Sequence, residues 1–142
     1  MSGARNDVAR RKLHGLASYV RELEEIRPTA LAAYGKDVRA RRSVERLLQL
    51  LVESGSEAIQ RLLLLSGRPA PGDYAGTFRA ASDAGLLPSS LAEELVSFAG
   101  LRNVLVHEYE KVDDAVVHAR SERAIPVFTR LVAEVRRSQR RI

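Results

Sequence analysis

Residues 101–114 read LRNVLVHEYEKVDD, and they bring together an arginine, an amide, an imidazole and a phenol: Arg102, Asn103, His107 and Tyr109. These side chains suit phosphate chemistry. A guanidinium holds a phosphate through a planar fork of donors and keeps its charge as negative charge builds on the oxygens. An imidazole, with an ordinary pKa of about 6.5, accepts a proton from a hydroxyl at neutral pH. Attack by an RNA 2′-hydroxyl on its own phosphate needs little beyond such a base and such a clamp. The base alone is worth roughly 10²–10⁴-fold in rate. No metal is called for: His14, His107 and His118 are scattered, no carboxylates cluster at ligand spacing, and the chain has no cysteine.

If the segment is helical, each residue advances about 100° around the axis. Arg102 and Tyr109 then share one face, and Asn103 and His107 share the adjacent one. The Arg102 face also carries Leu91, Leu95, Phe98, Leu105 and Val106, an apolar stripe. A guanidinium centred on such a stripe is costly unless it is paired, or unless the stripe faces a cleft or a partner. A structural alternative stands beside the chemical one. Arg102 could pair with Glu94 or an acid of another helix, while His107 bonds a carbonyl and Tyr109 closes the core.

The elements that must position these residues are helices, because period-2 alternation bounded by turns is absent. Val8, Leu13, Leu16, Tyr19, Val20 and Leu23 recur at helical spacing from about Asp7 to Ile26, and Pro28 ends that helix or begins a short one through Leu31. Asp37 opens a long helix whose buried stripe is Val44, Leu47, Leu48, Leu51, Ala58, Ile59, Leu62 and Leu63. Gly55 within it marks a bend or a close approach of two backbones. Gly67, Pro69, Pro71 and Gly72 form a loop, residues 74–84 a short helix stopped by Gly85. Ser89 or Ser90 caps the helix that carries the motif, with Glu93 at capping-box spacing from Ser90. Asp113 or Asp114 caps a last helix to about Gln139, bent or broken at Pro126. The expected fold is all-α: an up-and-down bundle of four main helices plus one or two short ones, in a single domain over residues 1–142.

Composition agrees. With 142 residues the chain can bury a core without staples, and at 45% hydrophobic but 5% aromatic that core is mostly Leu, Val and Ala. The charged N-terminus lacks the apolar centre of a signal peptide, and no apolar run approaches the roughly 18 residues that span a bilayer. A soluble, cytoplasmic protein is expected. The net charge of +5 favours an anionic partner, nucleic acid before a membrane surface. Two basic runs, residues 37–42 and the tail RRSQRRI with Arg136, Arg137, Arg140 and Arg141, read first as solvated faces. His14 and His118 read as ordinary surface histidines.

RNVLVHEY fits R-x4-H-x-Y with a polar residue directly after the arginine, the signature of the HEPN superfamily of small helical RNases. The wider chain resembles its HepT branch through VERLLQLLVESGSEAI, YAGTFRAASDAGLLP, FAGLRNVLVHEY and the VDD before the last helix, in that order. The resemblance implies a HEPN-like bundle and the toxin of a type II/VII-like toxin–antitoxin system. It implies a metal-independent endoribonuclease that needs no cofactor, acting as a homodimer whose paired motifs form an RNA-cleaving cleft. Arg102 and His107 then become catalytic, Asn103 the polar position beside the arginine, and Tyr109 the motif tyrosine. The implied partner is a minimal nucleotidyltransferase antitoxin that can add AMP units to Tyr109, blocking the cleft sterically and by like charge. The alternative is a helical nucleic-acid-binding or scaffolding module with an inert motif.

Overall fold

A computed structural model describes residues 2–141, with side chains described from Asp7 onward. Every regular element in it is helical: α1 (Ser2–Ile26), α2 (Leu31–Lys36), α3 (Val38–Leu65), α4 (Tyr74–Asp83), α5 (Ser89–His107), a 3-10 turn η1 (Tyr109–Lys111) and α6 (Asp114–Arg141). The four long helices α1, α3, α5 and α6 form the expected bundle, with α2 in the connection from α1 to α3 and α4 in that from α3 to α5. Helix α3 packs against all five other α-helices. It therefore supplies the largest share of the core: all eight residues of its expected stripe are buried, joined by Leu16 and Leu23 of α1, Leu95 and Phe98 of α5, and Phe128 and Leu131 of α6.

Local chemistry explains where the helices begin and end. Asp37 accepts a hydrogen bond from the Ala40 N–H at 3.0 Å and caps α3. Asp73 does the same for α4 from the Gly76 N–H at 3.1 Å. Asp113, not Asp114, opens α6 by accepting from the N–H groups of Ala115 and Val116. Helices α3 and α4 stop in Schellman turns, in which Gly67 (φ +76°) and Gly85 (φ +75°) adopt the left-handed conformation. There the Arg68 N–H returns to the Leu63 carbonyl and the Leu86 N–H to that of Ala81, both at 2.8 Å.

Gly55 answers the question of its own position. A Cβ added there would lie 2.8 Å from Leu131 Cδ2, so it lets α6 press against α3. Three expectations change. Helix α1 starts at Ser2, not near Asp7. Helix α5 has no serine cap: Pro88, extended at φ −60° and ψ 143°, takes the capping position, leaving Ser89 and Ser90 exposed in the first turn. Helix α6 is not broken at Pro126, whose ring lies on the exposed side.

His118 departs furthest from its reading as a surface residue. It is buried, with Nε2 2.8 Å from the Pro28 carbonyl. Arg27 donates to the His118 carbonyl (3.2 Å) and to Ser121 Oγ (2.9 Å), and the Ser121 hydroxyl donates to the same carbonyl (2.6 Å). This network ties the end of α1 to α6. His14 is exposed, as expected.

Candidate active site

Helix α5 delivers three of the four motif residues and stops before the fourth. Its last residue is His107; Glu108 leaves helical geometry and Tyr109 opens η1. The expectation that Arg102 and Tyr109 share a helical face therefore fails, since the 100° rule ends with the helix. Both residues are instead referred to α3, at two carboxylates eight positions apart, or about 12 Å along its axis.

Arg102 sits where the apolar stripe of α5 gives out: Leu91, Leu95, Phe98 and Leu105 are buried, whereas Val106 is exposed. The guanidinium is paired, but with Glu53 of α3; Glu94 binds Arg123 instead. Arg102 Nε and Nη2 both donate to Glu53 Oε2 at 3.1 Å, with side-chain exposures of 16% and 25%. The remaining Nη1 faces Asn103 Oδ1 at 3.4 Å, and the guanidinium carbon lies 4.7 Å from the centre of the Tyr74 ring. The fork is thus fixed by a carboxylate on one side and an aromatic face on the other. Its free edge is turned toward Asn103.

Asn103 and His107 are both exposed, one turn apart on α5. His107 makes no side-chain hydrogen bond among the described residues, so its ring nitrogens are open to a ligand.

Tyr109 is half-exposed, but its hydroxyl is engaged twice. It donates to Glu45 Oε1 at 2.7 Å and accepts from Arg42 Nη1 at 2.5 Å. Partial burial raises its pKa, and the hydrogen bond and charge of Glu45 raise it further, against the opposing pull of Arg42. Glu45 is 3% exposed. Nearby, the hydroxyl of the fully buried Tyr34 has no partner, and burial followed by the Glu45 charge raises its pKa as well. On the outer side of η1, Glu108 and Lys111 pair at 2.8 Å; the hydrogen bond lowers the carboxyl pKa and raises that of the ammonium.

Sequence reasoning missed Arg42, Glu45, Glu53 and Tyr74 as members of this site. The signal was available for one of them. Glu45 lies three residues before Leu48 and seven before Val52, inside the buried stripe of α3, the same anomaly that singled out Arg102. Arg42 belongs to the basic run read as a solvated face; it is exposed, yet its guanidinium carbon lies 5.4 Å from the centre of the Tyr109 ring. No group of three or more His, Asp or Glu side chains among the described residues could hold a metal ion. Among the described residues, no helix is long and apolar enough to cross a membrane. The groove between α1 and α3, lined by Lys12, Glu57, Gln60, Arg61, Leu64 and Leu65, includes no motif residue.

Three solved structures share the fold at low sequence identity. A tri-AMPylated HEPN toxin from Shewanella oneidensis, in complex with an MNT antitoxin, is 17% identical over 92% of this chain and 97% of its own, with a TM-score of 0.84. A toxin–antitoxin complex with AMP-PNP is 16% identical over 91% and 98%, TM-score 0.83. YutE, a cytosolic protein of unknown function from Bacillus subtilis, is 15% identical over 92% and 87%, TM-score 0.77. No curated protein matches the chain. A family model described as Ribonuclease HepT-like matches residues 16–135, and the chain belongs to that HepT-like ribonuclease family.

Proposed function

We propose that the chain is the toxin of a two-gene toxin–antitoxin system, a cytoplasmic endoribonuclease that cuts RNA without a metal in a cleft between two copies of itself. Arg102 clamps the scissile phosphate, Asn103 offers its amide beside that clamp, and His107 takes the proton of the attacking 2′-hydroxyl. The partner is a minimal nucleotidyltransferase antitoxin, which neutralises the toxin by placing AMP on Tyr109. The observation that carries this reading is the exposure of His107 and Asn103, one turn apart, beside an arginine whose fork is already oriented. Family membership supplies the reaction class, and the AMPylated Shewanella toxin supplies the analogy for the tyrosine.

A second reading, an inert nucleic-acid-binding or scaffolding module, draws on one feature: Glu53 already neutralises Arg102. The two separate in one experiment. Wild type and His107→Ala, each expressed without any neighbouring gene, are incubated with total cellular RNA in EDTA. Cleavage by wild type alone supports the nuclease and puts His107 in its mechanism. Because His107 is exposed and unbonded, the variant should melt within about 0.5 kcal/mol of wild type. Intact RNA in both samples, with an intact mass excluding AMP on Tyr109, would favour the module.

A further inference from the structure

We propose that Glu45 is the proton acceptor for Tyr109, making this tyrosine a built nucleophile, with Arg42 as the cation that steadies its oxygen. The inference rests on the reading of Tyr109 as a modified residue and adds what the chain itself contributes to that modification.

The geometry is that of a nucleophile between a base and a cation. The Tyr109 hydroxyl points its proton at Glu45 Oε1, 2.7 Å away, and receives an Arg42 N–H at 2.5 Å. One lone pair of the phenolic oxygen remains for an electrophile. The carboxylate is held, not floating: Glu45 is 3% exposed, and Arg42 Nη1 lies 3.4 and 3.5 Å from its two oxygens. A surface tyrosine with no special task does not need a buried carboxylate beneath it.

The step balances. In transfer from a nucleoside triphosphate, the bond from Tyr109 Oη to the α-phosphorus forms, the bond to the pyrophosphate oxygen breaks, and pyrophosphate leaves. The phenolic proton passes to Glu45 Oε1 and then to solvent. A carboxylate is far less basic than a phenolate, but it suffices for a concerted transfer. As the new bond forms, the phenolic O–H becomes strongly acidic, so the proton moves downhill late in the step. Burial and the hydrogen bond and charge of Glu45 raise the phenol's pKa, which favours transfer with the proton still in place. Glu45 is faced by Arg42 of α3, Tyr34 of α2 and Tyr109 itself, while Asp114 at the start of α6 acts on Tyr34 and Tyr109 and pairs with Arg41.

The test needs no partner protein. N-acetylimidazole transfers its acetyl group to phenolic oxygen and releases imidazole; acetylation of the Tyr109 peptide is followed by mass spectrometry, with Tyr19 as internal reference and Tyr109→Phe to confirm the label. Glu45→Gln keeps an acceptor oxygen for the tyrosine but removes the base. Its Tyr109 rate should fall at least tenfold at pH 7 with the Tyr19 rate unchanged, and Glu45→Asp should recover part of it. A Glu45→Gln rate equal to or above wild type would overturn the proposal and leave Glu45 as a tether for the ring. Glu45-dependent acetylation in protein that never acquires AMP in cells would refute the reading of Tyr109 as the antitoxin's target while upholding the base.

Discussion

Removing Arg102 tests two things at once, because a structural pairing and a proposed catalytic role meet in one side chain. Its guanidinium gives two N–H donors to Glu53 Oε2 at 3.1 Å, with both side chains less than a third exposed. At a charge separation of about 4 Å and an effective dielectric of about 20, the bare attraction is on the order of 4 kcal/mol. Desolvation takes back much of that, and the partial exposure places the net coupling between the ~0.2–1 kcal/mol of surface pairs and the ~3–5 kcal/mol lost when a buried pair is broken. We expect Arg102→Ala to cost about 2 kcal/mol, part of it the unpaired Glu53 carboxylate. Glu53→Ala should recover about half of that loss in the double variant, as read from urea melts in a double-mutant cycle. Cleavage of total RNA in EDTA should be absent from both Arg102 variants, since the double variant recovers stability without restoring the proposed clamp. If the double variant cleaved RNA, Arg102 would be serving only to neutralise Glu53. If all the variants cleaved like wild type, the catalytic assignment would be wrong.

Other expectations are more local. Gly55→Ala puts a methyl 2.8 Å from Leu131 Cδ2, and thermal melting should show a loss of about 1–3 kcal/mol despite alanine's better helix propensity. Arg27→Ala removes the donor shared by the His118 carbonyl and Ser121 Oγ, which should cost about 1–3 kcal/mol in urea titration. Burial raises the pKa of Tyr34, and burial with Glu45 that of Tyr109; a raised folded-state pKa adds stability that is intact below the unfolded tyrosine value and lost above it. Stability should therefore fall as pH rises past about 10, and less so in Tyr34→Phe, which also removes an unpaired buried hydroxyl and should be no less stable at pH 7.

The bundle was legible because its signals are local or periodic. The α3 stripe, the loop at Gly67–Gly72 and the stop at Gly85 each follow from spacing or from one residue's backbone freedom. The motif's residues were legible too, and so was the oddity of Arg102. Its partner was not: choosing Glu53 over Glu94 depends on which helix packs alongside, which periodicity within α5 cannot tell. Tyr109 was misplaced on the helical face because nothing in VHEYEK distinguishes one more helical turn from a 3-10 turn. His118 was taken for a surface residue because its partners, Pro28 and Arg27, lie about ninety positions away in sequence.

Helix α3 also acts as a ruler. Arg102 and Tyr109 belong to different elements, yet each is gauged against the same rod, at Glu53 and at Glu45. Deleting one residue between those marks would shift one end by about 1.5 Å and turn it by about 100°, swinging one carboxylate away from its mate. The stretch from Glu45 to Glu53 is therefore fixed in length, whatever changes its exposed positions accept. The connection over residues 66–73 touches neither mark and can vary in length without moving them.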